Sequence, residues 1–200
     1  VNLSLALVAQ AELEARGITV ALTRTADYAT TLPTRAAFAD HLEADLMVSI
    51  HHNAPTFASS TTPGTEVFVQ SDSPASTRLG GLIYAAVVDA LAGFDGIAWS
   101  AAPDAGVLTV VNSEGTDAYG MVRRPDTVSV LAEFAYISNA PEAELLNTSE
   151  YSAVAGRALA DAIELYLSSP TNEGRGFQPG RVFNPSAAPG EDVCVDPPLS

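Results

Sequence analysis

The chain alternates between two kinds of hydrophobic pattern. Asn2 to Arg16 carries Leu3, Leu7 and Ala11 at helical spacing, with Leu5 and Val8 widening the stripe and Gly17 as a stop, which predicts a helix. Ile18, Val20 and Leu22 alternate and predict a strand from Ile18 to Thr23, followed by a loop with Arg24 and Asp27. Pro33 fits the first position of a helix running to about Glu43, after Thr31 or Leu32. Leu46 to His51 is a short apolar run ending in histidine, as expected of a buried strand. Asn53 to Pro63 reads as a loop, Glu66 to Gln70 as a strand, Ser76 to Leu91 as a long helix, and Gly93 to Asp104 as irregular chain. Val107 to Val111, Tyr119 to Val122 and Val128 to Glu133 are strand candidates; Pro141 to Leu146 and Ser149 to Leu167 are helices, the last capped by Thr148 or Ser149. This order of strands and helices predicts an α/β fold, a mostly parallel twisted sheet with helices on both faces.

After Ser168 the pattern ends. Pro170, Pro179, Pro185, Pro189, Pro197 and Pro198 break any regular element, so residues 1–167 are expected to form one domain and 168–200 a Pro-rich linker or tail. An apolar content of 47% is enough for a core. The net charge of −15, with only nine Lys plus Arg, argues against a nucleic-acid partner or an anionic membrane surface. No apolar run is long enough to predict a transmembrane helix. Cys194 is the single cysteine and excludes an intramolecular disulfide. The chain starts at Val1 inside an apolar pattern, which reads as a processed or truncated N-terminus.

Candidate chemistry concentrates where two strands end. Two of the three histidines, His51 and His52, close the Leu46 strand, and Glu133 closes the Val128 strand. Successive strand residues point to opposite faces, so only one of the two histidines can serve a given centre. A carboxylate after an aliphatic run is costly unless it is paired, metal-bound or functional; the alternative is a strand end emerging into solvent. For the histidine, the alternative is a structural or surface residue. Asn53 and Asn139 are placed either to orient these groups or to form turns. Arg24 and Arg35 are expected to pair with Asp27 or Asp40, Arg123-Arg124 to meet an anion or solvent, and His41 to be exposed. The pairs Glu12/Glu14 and Glu142/Glu144 read as solvated helix faces. A hydrolase whose metal is completed by other carboxylates, such as Glu66 or Asp117, is a further alternative, although nothing in the sequence places either near His51.

Taken together, five segments resemble the type 3 family of zinc-dependent N-acetylmuramoyl-L-alanine amidases: Asn2-Leu3 opening a helix, Leu22-Thr23-Arg24 closing a strand, Leu32 to Arg35, Ser49-Ile50-His51-His52-Asn53, and Leu131, Glu133, Ser138 and Asn139 in one late stretch. The resemblance covers Val1 to about Leu167. It implies hydrolysis of the bond between muramic acid and the L-alanine of the peptide stem in bacterial peptidoglycan. It further implies one Zn2+ with His51 as a ligand, Glu133 as the catalytic carboxylate that takes and returns a proton, and an extracytoplasmic location. It also implies an earlier strand with a Gly-His-Gly signature and a ligating Glu, which these 200 residues do not contain, so only one ligand is identifiable and the chain alone is not expected to close the site. Ala135 and Tyr136 stand where the family has Gly and Phe, and His52 where a small residue is common. A non-catalytic cell-wall-binding module of the same fold is the alternative expectation.

Overall fold

The computed structural model describes residues 1–54, 64–95 and 106–170, and the backbone of 181–182. Its elements are α1 (Asn2–Ala15), α2 (Leu32–His41), β1 (Met47–Asn53), β2 (Glu66–Val69), α3 (Pro74–Leu91), β3 (Gly106–Thr109), α4 (Gly120–Arg123), β4 (Ser129–Tyr136), α5 (Ala140–Leu146), α6 (Ser149–Ser168) and β5 (Arg181–Val182). The strands form one sheet in the order β1-β4-β2-β3-β5, parallel except between β2 and β4. The mostly parallel α/β fold expected from the pattern is present. The expected loop at 55–63 and most of the irregular stretch 93–104 lie outside the described residues, as do 171–180 and 183–200; the backbone at 181–182 pairs with β3.

Alternation along the strands divides the sheet into two faces. Val67, Val69, Val107, Val130, Ala132 and Phe134 pack with α1, α3 and α6. Met47, Phe68, Leu108 and Leu131 point the other way, toward Ala39 of α2 and Met121 and Val122 of α4. Local chemistry fixes the helix ends. Thr31, Ser73, Asn139 and Thr148 each accept a backbone N–H in the first turn of α2, α3, α5 and α6. Gly17 adopts φ +79°, letting its own N–H and that of Ile18 bond back to the carbonyls of Glu14 and Leu13 to stop α1.

Four expectations are corrected. The buried stripe of α1 is Leu5, Ala9 and Leu13, while Leu7 is exposed; a helix apolar on most sides leaves its buried face to its neighbour, here α6. Residues 18–23 form no ladder. They run beside a cavity of about 1010 Å3 also lined by Leu46–His51 and by residues of α1, α2 and α6. A strand needs a neighbour to satisfy its backbone groups, and among the described strands β1, at the sheet edge, pairs with β4 on its other side and with no second strand. Tyr119 to Val122 is not a strand: Tyr119 immediately precedes the short helix α4, its carbonyl accepting the Val122 and Arg123 N–H groups, and Met121 and Val122 are buried under the sheet. Glu142 is not solvated; it is fully buried, with Oε2 accepting the Tyr136 N–H at 2.6 Å. Asn139 and Glu142 form a capping arrangement, since Asn139 Oδ1 accepts the Glu142 N–H while the Glu142 side chain reaches back past the helix start. Burial pushes the Glu142 carboxyl up to about 7.

Candidate active site

His51, Glu133 and Glu66 lie in one row across three neighbouring strands. His51 of β1 is the register partner of Glu133 of β4, and Glu133 is in turn the partner of Glu66 of β2. Register partners share a face, and this is the face toward α2 and α4. His52 takes the opposite face, as strand alternation requires. Its Nδ1 lies 2.6 Å from Asn2 Oδ1 and its Nε2 lies 2.8 Å from the Tyr151 hydroxyl. Asn2 Oδ1 can only accept, so Nδ1 carries the proton and Nε2 accepts from Tyr151. His52 thereby ties the starts of α1 and α6 to the end of β1. Of the adjacent pair, His51 alone faces the candidate site. His41 is exposed.

Beyond the row, β4 holds one residue more than β1: His51 pairs with Glu133, but Asn53 pairs with Tyr136. The resulting bulge brings Tyr136 round to the side of Glu133. There the Tyr136 hydroxyl donates to Glu66 Oε1 at 3.0 Å, and Asn53 Nδ2 donates to Glu66 Oε2 at 2.9 Å. Asn53 thus orients a carboxylate, while Asn139 is spent on capping α5. In the sequence Glu66 is legible as the start of a strand and as a carboxylate that could join His51 at a metal; its place beside Glu133 comes from the antiparallel pairing of β2 and β4, which no local pattern encodes.

Glu133 contrasts with Glu66. Its Oε2 is buried and has no hydrogen-bond partner among the described residues. Burial first, and the Glu66 charge second, push its carboxyl up to about 8. Such a group holds a proton near neutrality and exchanges it readily, the property required of an acid–base residue. His51 is pulled down to about 4, first by burial and then by the positive charge of Arg35, so its imidazole is neutral and available to a metal. Its Nε2 lies 3.0 Å from Ser49 Oγ, two residues back on the same face. Tyr119 packs against Phe68 with ring centroids 4.5 Å apart, and burial raises its hydroxyl, with Glu133 and Glu66 adding to the effect.

The expected ion pairs of Arg24 and Arg35 do not form among the described residues. Arg24 Nη1 donates to the Ala26 carbonyl at 3.2 Å, and Arg35 Nε donates to the carbonyl and hydroxyl of Thr30 at 2.9 and 3.0 Å. Asp40 instead accepts the backbone N–H groups of Asp126 and Thr127. Arg123 is turned inward to the carbonyls of Asp117 and Ala118.

The model of the family described as N-acetylmuramoyl-L-alanine amidase, Amidase_3, matches residues 1–165. The chain belongs to the N-acetylmuramoyl-L-alanine amidase family. An uncharacterized Bacillus subtilis protein, YqiI, is 31% identical over 168 residues, which are 83% of this chain and 72% of that protein. Among solved structures, the catalytic domain of CwlV, an N-acetylmuramoyl-L-alanine amidase of Bacillus (Paenibacillus) polymyxa var. colistinus, is 26% identical with a TM-score of 0.65, covering 83% of this chain and 82% of that one. An N-acetylmuramoyl-L-alanine amidase of Clostridium difficile 630 shares the fold with a TM-score of 0.71 at 20% identity, covering 84% and 83% of the two chains. Cwp6 of Clostridium difficile is 25% identical with a TM-score of 0.67 over 81% of this chain, which spans only 24% of that protein.

Proposed function

We propose that this domain hydrolyses the amide between N-acetylmuramic acid and L-alanine in peptidoglycan, with Glu133 as the group that takes a proton from water and delivers it to the leaving nitrogen. The observation that carries the reading is the pairing of His51 with Glu133 on one sheet face, within a chain of the amidase family. Glu133 matches this role because it is buried and unpartnered at Oε2, and because a carboxyl pushed up to about 8 is, once ionised, a stronger base toward water than an ordinary carboxylate. The substrate supports an extracytoplasmic location. No described helix is long and apolar enough to cross a membrane.

A catalytic zinc needs about three protein ligands around one point. Among the described residues, no group of three or more His, Cys, Asp or Glu is placed to hold a metal ion. The described residues therefore do not fit a zinc ion by themselves. His51 is the ligand this chain offers; its companions would have to come from elsewhere than the described residues. That deficit favours one second reading, a wall-binding module that keeps the fold without catalysis. The test is release of free N-terminal L-alanine from N-acetylmuramoyl-L-alanyl peptides by the zinc-supplied protein. Loss of release in Glu133→Gln, with the fold retained, supports the enzyme. Peptidoglycan binding without release supports the module.

A further inference from the structure

Two arginines that line the same cavity as His51 have no ion pair among the described residues. Arg24 stands at the carboxyl end of the 18–23 run, Arg35 in the first turn of α2, and both line the same cavity as His51. Elsewhere Arg16 is held by Glu12, Asp161 and Glu164, Arg157 by Glu12, and Arg78 by the Tyr166 carbonyl and ring. Arg35 spends only Nε internally, on Thr30, which anchors the guanidinium plane. Its two terminal nitrogens have no hydrogen-bond partner among the described residues. Asp27 lines the same cavity but is exposed and forms no ion pair with either arginine among those residues. An anchored guanidinium with its fork left open is suited to a planar anion, which it grips through two parallel N–H···O bonds.

We propose that Arg35, flanked by Arg24, receives a carboxylate of the peptide stem and so sets which stems the site accepts. This rests on the amidase reading for the nature of the ligand, since the peptide side of the scissile amide carries acid groups within a residue or two. An acidic protein repels such a ligand at long range, so recognition needs local cations that no internal carboxylate neutralises, and among the described residues this pair meets that need.

The experiment measures binding of two probes to the 200-residue chain without added metal: N-acetylmuramoyl-L-alanyl-D-glutamate, and its diamide, in which both acid groups of the second residue are carboxamides. The wild-type chain should prefer the acid by roughly tenfold or more. Arg35→Gln should erase that preference while leaving the affinity for the diamide unchanged, and Arg35→Lys should keep part of it. Equal binding of acid and diamide by the wild type, or an equal weakening of both by Arg35→Gln, overturns the proposal. So does Arg35-dependent binding of glycerol phosphate without any preference for the acid, which would assign the pair to a wall phosphate. Acid preference without amide cleavage by the zinc-supplied protein keeps this site and removes the amidase reading; cleavage without acid preference does the reverse.

Discussion

Replacing Glu133 by Gln should stabilise the fold while removing activity, and the gain should depend on pH. In the folded chain the Glu133 carboxyl is pushed from 4.5 up to about 8, by burial and then by Glu66. The folded state therefore binds more protons than the unfolded state between those two values, and stability must fall as pH rises through that window. Below 4.5 the group is protonated in both states and the penalty is absent; above 8 it is fully present. At about 1.4 kcal/mol per unit, the full penalty is up to roughly 5 kcal/mol. Glutamine has nearly the same shape and cannot ionise, so it escapes the penalty. Urea denaturation of both proteins in chelator, from pH 4 to pH 9, reads the difference directly. Glu142, which titrates near 7, is present in both and cancels. The variant should be level with the wild type at the acid end and more stable by several kcal/mol at the alkaline end. A flat difference, or a wild type more stable at high pH, would refute the claim that Glu133 is buried without adequate partners.

Three further outcomes follow from named contacts. Tyr136→Phe removes a hydroxyl donor from the buried Glu66 and should cost roughly 1.5–3 kcal/mol in chemical denaturation. Tyr151→Phe takes the donor from His52 Nε2 and should cost about 1 kcal/mol, measured the same way. Gly80→Ala would place a Cβ 2.4 Å from Val69 Cγ1 and 3.3 Å from Val67 Cγ1, where α3 lies against β2; calorimetry should show a loss of roughly 1–3 kcal/mol.

How much of the fold and site was legible in the sequence depended on whether the deciding contacts were local. Thr31, Gly17, Thr148 and the apolar run at Leu46 announce themselves within a few residues, and the elements they bound are found. Strand alternation alone assigns His51 and His52 to opposite faces, and the two do face apart. The segment Ile18 to Thr23 carries a strand pattern, but pattern supplies only a face; the ladder needs a partner strand, and β1 does not reach it. Tyr119 to Val122 misled because four residues are too few to distinguish periods of two and 3.6. Glu142 misled because its acidic neighbour Glu144 suggested a solvated face, while the capping arrangement with Asn139 and the Tyr136 N–H draws it inside. Glu66 reaches the site through an antiparallel pairing and a bulge that joins Asn53 to Tyr136, both set by contacts distant in sequence.

The most direct test of the site is zinc stoichiometry by equilibrium dialysis, compared among the wild type, His51→Ala and His52→Ala. The account predicts that any zinc the wild type binds is lost in His51→Ala and kept in folded His52→Ala, because, of the two histidines, His51 shares the face of Glu133. Zinc retained by His51→Ala, or lost equally from both variants while they remain folded, would contradict it.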